Sequence, residues 1–175
     1  MSEESLRREL YDAFTNRAMF YAAIYDELCD ELGAERAEAI LSRAIYRRGK
    51  QMGQKNFASF GPNNLSGLLK VFLAGVPDEG QAFKPEVLRN DTDGIDIKFH
   101  ACPLRDAWQK AGLPPEKVAT LCRIAARVDN GTFEGAGFCF SADTWHAGDE
   151  GCCYLHIRPG KTLKVRCSSA GQIGF

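Results

Sequence analysis

The feature that most constrains this chain is a helical period that runs from Ser5 to Phe57 and then gives way to period-two alternation. Leu6, Leu10, Phe14, Phe20, Ile24 and Leu28 recur largely at three- and four-residue steps, the spacing that lines one face of a helix. The weakest point of this run is Thr15-Asn16, where a break is expected, and Gly33 is its stop signal. A second helix is expected from Ala34 to about Phe57, carried by Ala37, Ile40, Leu41, Ala44, Ile45 and Met52 and antiparallel to the first. Gly49 and Gly53, one turn apart, leave bare backbone on one stripe of it, which predicts close helix packing.

After the loop Gly61-Pro62-Asn63-Asn64, a short helix is predicted over Leu65 to Ala74, ended by Gly75 and Pro77. The pattern then changes. Glu86 to Asn90 and Ile95 to Ala101 flank Asp91-Thr92-Asp93-Gly94, a hairpin signal. Helices follow at about Pro103 to Ala111 and Pro115 to Val128, the second ended by Asp129-Asn130-Gly131. Strands are then expected near Ala136 to Ala142, Cys153 to Ile157 and Thr162 to Cys167. The sum is an α+β fold: N-terminal antiparallel helices packed with a C-terminal antiparallel sheet of about five strands carrying inserted helices. It reads as a single domain over residues 1–175, helical in 1–75 and α+β in 85–175.

With 45% hydrophobic and 26% charged residues and a net charge of -1, the chain has globular composition without the basic excess of a nucleic-acid binder. Arg47, Arg48 and Lys50 form its densest basic run, at what reads as a solvated helix end. Met1 to Ser5 do not open a secretory signal, and no run approaches 18 apolar residues, so a cytoplasmic location and no membrane partner are expected. The apolar helices are compatible with a homodimer. Seven cysteines in such a chain read as thiols, ligands or nucleophiles before they read as a disulfide framework.

Alternation puts Ile95, Ile97 and Phe99 on one face and Asp96, Lys98, His100 and Cys102 on the other, making His100 and Cys102 neighbours. Pro103 at a first helical position leaves Cys102 at the N-cap, where backbone N–H groups favour a thiolate. Cys122 lies on the apolar stripe Val118, Leu121, Cys122, Ala125, Val128 and faces inward. Asp129, at the expected helix C-terminus, opposes the helix dipole. In Cys152-Cys153, strand parity sends Cys153 inward and Cys152 out with Tyr154 and His156, so that one of the two faces a given pocket. His146 and His156 read as ordinary histidines, and Cys29, Cys139 and Cys167 as packing.

Taken in order, Cys102-Pro-Leu-Arg-Asp-Ala-Trp108, Ala111-Gly-Leu-Pro, Leu121-Cys122, Val128-Asp-Asn-Gly-Thr-Phe133, Thr144-Trp145 and Glu150-Gly-Cys-Cys153 resemble the L-2-amino-thiazoline-4-carboxylic acid hydrolase family. Tyr46-Arg-Arg-Gly49 and Gly53 extend the resemblance into the helical half. One departure is Ala125, where many distant members carry an acidic residue; Asp129 serves instead in closer ones. The resemblance implies hydrolytic opening of a five-membered cyclic isothiourea bearing a carboxylate, to a carbamoyl-cysteine. In that reading Cys102 adds to the ring carbon, Asp129 or His100 moves the proton, and Cys122 and Cys152 complete the catalytic set. Arg123 or Lys98 would hold the substrate carboxylate, with Trp145 and Cys153 also lining its site. An alternative chemistry gathers Cys102, Cys122 and Cys152 around a zinc-type ion that activates water. A different class of reading is a ligand-binding or metal-binding sensor without turnover, and a weaker one is a thiol redox protein using Cys152-Cys153.

Overall fold

The computed structural model describes residues 2–160, and the strand expected at Thr162 to Cys167, with Cys167 itself, lies outside them. Two long helices, α1 (Glu3–Leu32) and α2 (Ala34–Asn56), meet at Gly33, whose φ of 81° turns the chain sharply. Helix α1 is continuous through Thr15-Asn16: the Thr15 hydroxyl donates to the Tyr11 carbonyl, absorbing its polar group within the helix. Helix α3 (Leu65–Ala74) is capped by the Asn64 side chain, which accepts from the Gly67 N–H at 2.9 Å.

Strands β1 (Pro85–Asn90) and β2 (Ile95–Phe99) form the expected hairpin, and the Asp91 carboxylate accepts from the N–H groups of Asp93 and Gly94 at its turn. Helices α4 (Pro103–Lys110) and α5 (Pro115–Gly135) intervene before β3 (Cys139–Asp143) and β4 (Tyr154–Arg158). The sheet is wholly antiparallel in the order β1-β2-β4-β3. It therefore has four strands among the described residues, one fewer than the sequence suggested.

Helix α5 runs well past the stop read at Asp129-Asn130-Gly131, because tertiary packing overrides that local turn signal. A side chain at Gly131 would run into the Tyr46 carbonyl of α2, and one at Gly135 would meet the Lys50 carbonyl at 2.8 Å. From the other side, Gly49 and Gly53 face the carbonyls of Val128 and Thr132 with no room for a Cβ. Four glycines thus bring α2 and α5 into backbone contact, the close packing expected of Gly49 and Gly53.

Two hydrophobic clusters result. One gathers Phe14, Ala18, Leu41, Trp108, Leu121, Cys122 and Ile124 from the helices with Trp145 from the loop after β3. The other gathers Leu68, Ile95, Ile97, Phe99, Phe133, Cys152, Leu155 and Ile157 beneath the sheet. Cys102 and Phe83 touch both. Trp108 locks α4 to α1 by donating its indole N–H to the Ala18 carbonyl at 2.7 Å. No described helix is long and apolar enough to cross a membrane.

Candidate functional site

The site is built where the two clusters meet. Cys102 is the extended N-cap of α4, with Pro103 in the first turn behind it, as the spacing predicted. Its sulfur closes no regular cap hydrogen bond. The Cys152 thiol, however, hydrogen-bonds to it, and the N–H groups of Leu104 and Arg105 face it. Together these outweigh burial and bring the Cys102 thiol down from its ordinary 9.0 to about 7. Cys152 is driven upward by the same bond, then by its own burial. The two sulfurs titrate together, and the hydrogen bond between them favours the Cys102 thiolate.

Cys152 does not sit on a strand, which overturns the parity reading. Strand β4 begins at Tyr154, and Gly151, at φ 82°, swings the chain beforehand. The Cys152 N–H donates to the Phe99 carbonyl at 2.8 Å, and the Phe99 N–H donates to the Cys153 carbonyl at 2.9 Å. Both cysteines of the pair reach the same site: Cys152 is buried against Cys102, and Cys153 lies within electrostatic reach of Cys102 and Asp129. Burial raises Cys153 to about 12, partly offset by the Trp145 backbone N–H. Trp145 itself is buried in the helical cluster, which makes it a wall of the site.

Helix α5 supplies Cys122 and Asp129, seven positions apart and therefore on nearly one face. Cys122 is buried and pushed up by desolvation. Asp129 lies in the interior of α5, so the conflict with a helix C-terminus does not exist. Its carboxyl is raised from 3.8 to about 7 by removal from water, with Arg17 of α1 pulling the other way. A carboxyl poised there can give and take a proton at neutral pH.

His100 does not join them. Regular alternation ends at Phe99, the His100 and Ala101 N–H groups turn to the carbonyls of Lys84 and Phe83, and the exposed His100 ring pairs with Glu86 at 2.7 Å. Of the two expected cations, Arg123 is taken by Glu38, onto which it forks with both bonds at 3.0 Å; the Lys98 ammonium has no carboxylate within 4.0 Å among the described residues and lies 5.2 Å from the centre of the Tyr154 ring. Two arginines that the sequence reading did not single out lie nearby. Arg105, within Cys102-Pro-Leu-Arg-Asp, donates to the Gly151 carbonyl and to Asp106, tying the first turn of α4 to the Cys152 loop. Its presence in that motif was the available signal. Arg17 has no carboxylate within 4.0 Å among the described residues; it lies 5.0 Å over the Phe14 ring and borders a shallow groove with Leu10, Ala13 and Phe14. Nothing in its sequence context marked it out.

Among the described residues no three His, Cys, Asp or Glu side chains are grouped as a metal ion would require. Cys102 and Cys152 are in hydrogen-bond contact, and Cys122 lies within electrostatic reach of Cys102.

A family model described as L-2-amino-thiazoline-4-carboxylic acid hydrolase matches residues 13–157. No curated protein matches the chain. Among solved structures, the phenol-responsive sensory domain of the transcription activator PoxR with phenol is similar at 18% identity, over 81% of this chain and 73% of that one, with a TM-score of 0.51. A trafficking protein particle complex subunit 3 from Naegleria fowleri, covalently bound to palmitic acid, is similar at 17% identity, over 87% of this chain and 98% of that one, with the same TM-score of 0.51. At such identities the likeness is one of fold.

Proposed function

Because the chain belongs to the L-2-amino-thiazoline-4-carboxylic acid hydrolase family, we propose that it opens a small carboxylated heterocycle of the 2-amino-thiazoline-4-carboxylate type by attack of Cys102. The observation that carries this reading is the hydrogen-bonded Cys102–Cys152 pair, which favours the thiolate of Cys102 at neutral pH. That thiolate adds to the protonated amidine carbon of the ring. The ring carbon–sulfur bond then breaks, and the departing sulfur takes the proton of Asp129, leaving an isothiourea joined to Cys102. Water, giving a proton back to Asp129, adds to the same carbon, the bond to Cys102 breaks to restore its thiolate, the proton that came with the amidine returns to solvent, and a carbamoyl-cysteine leaves with the oxygen of that water.

The other residues hold these groups in place. Arg105 fixes the Gly151 carbonyl against α4, which keeps Cys152 beside Cys102, and its charge favours the thiolate. Cys122, Cys153 and Trp145 wall the site. Arg17, without a carboxylate partner and on the Asp129 side, is the cation we assign to the substrate carboxylate. The fold-level likeness to a phenol-responsive sensory domain favours a second reading, a binding module without turnover. Following ring opening of 2-amino-thiazoline-4-carboxylate separates the two: the hydrolase turns it over and a folded Cys102→Ala variant does not. Binding without turnover in the unaltered chain supports the sensor-like reading.

A further inference from the structure

The Cys102–Cys152 contact has a chemistry of its own, which depends on the site and not on hydrolysis. Neither sulfur is carried by the middle of a regular element: Cys102 is an N-cap, and Cys152 lies between Gly151 and the start of β4. The backbone beneath them is pinned, since Phe99, three residues before Cys102, pairs with both Cys152 and Cys153. The two sulfurs are already in hydrogen-bond contact, so a disulfide between them would join side chains that are neighbours in the folded protein. Access is unequal. Cys102 is partly exposed and Cys152 is buried, so an oxidant in solution meets Cys102 first, with Cys152 in contact from behind. The other neighbours are less suited: Cys122 is carried by the interior of α5, and Cys153 is directed to the Trp145 N–H.

We propose that Cys102 is a peroxide-modification site and that Cys152 is its resolving thiol. The Cys102 sulfur attacks one peroxide oxygen, the oxygen–oxygen bond breaks, and the other oxygen leaves as water or an alcohol, giving Cys102 sulfenic acid. The Cys152 sulfur then attacks the Cys102 sulfur. The hydroxyl of the sulfenic acid departs as water with the Cys152 proton, and a Cys102–Cys152 disulfide remains. The two thiols supply the two electrons that reduce the peroxide, and thiol–disulfide exchange with an added dithiol restores both. The modification hides the thiolate and protects it from further oxidation.

The test uses the full chain and hydrogen peroxide, read by intact mass and by mapping of non-reduced peptides. The expected result is a loss of two hydrogens, a cross-link joining the Cys102 and Cys152 peptides, and full reversal by dithiothreitol. In Cys152→Ser, and in Cys152→Ala as a second variant, Cys102 should instead gain two oxygens and resist the dithiol, while Cys153→Ser should still form the cross-link. A Cys152–Cys153 cross-link in the unaltered chain would overturn the proposal, as would overoxidation of Cys102 at the same rate with and without Cys152. Because the readout is mass, it stands or falls independently of whether the chain hydrolyses a thiazoline.

Discussion

Replacing Asp129 by Asn should make the protein more stable at pH 8 while stopping its chemistry. The carboxyl is raised from 3.8 to about 7 because burial opposes its charge. The folded state then binds this proton more tightly than the unfolded chain, so stability falls as pH rises from about 4 through about 7 and stays low above that. Three pKa units correspond to about 4 kcal/mol of strain in the ionised protein. Asn removes the charge but holds an amide partly out of water, a cost of about 1–3 kcal/mol. The variant should therefore gain about 1–3 kcal/mol at pH 8 and nothing, or a small loss, at pH 4.5. Urea unfolding of both proteins at the two pH values, with reductant present, measures this difference while cancelling every other titrating group. Parallel pH dependence of the two proteins would refute the buried-carboxyl account.

Three further outcomes follow from the packing and charges. Gly53→Ala should cost at least about 1–3 kcal/mol by urea unfolding, because its methyl would have to displace the Thr132 carbonyl and part α2 from α5. Arg17→Gln should raise KM for the carboxylated substrate by about 10–100-fold with kcat nearly kept, a split seen by steady-state kinetics and absent for an uncharged carboxamide analogue. Alkylation of Cys102 by iodoacetamide, followed by peptide mass, should accelerate with pH around a midpoint near 7, and Cys152→Ala, which removes the donor, should move that midpoint upward.

The elements with strong period were legible in the sequence: both long helices, Gly33 between them, the hairpin at Asp91 to Gly94 and the Pro103-initiated helix with Cys102 at its cap. What misled were places where tertiary contact decides. Asp129-Asn130-Gly131 has the local chemistry of a turn, yet Gly131 is needed against Tyr46 and the helix continues, which moves Asp129 from a helix end to its interior. Strand parity holds only on a strand, so it failed for Cys152 and for His100, both just outside one. Adjacency in sequence says nothing about partners: Arg123 lies beside Cys122 but is taken by Glu38, whereas Arg17, more than a hundred positions before Asp129, lies within electrostatic reach of it.

The most direct test of the central claim is intact mass of the protein quenched during turnover of 2-amino-thiazoline-4-carboxylate. The account predicts an adduct equal to one whole substrate, mapped to Cys102, that decays as carbamoyl-cysteine appears and is absent from Cys102→Ala. Turnover that persists in Cys102→Ala, or an adduct on any other cysteine, would contradict it.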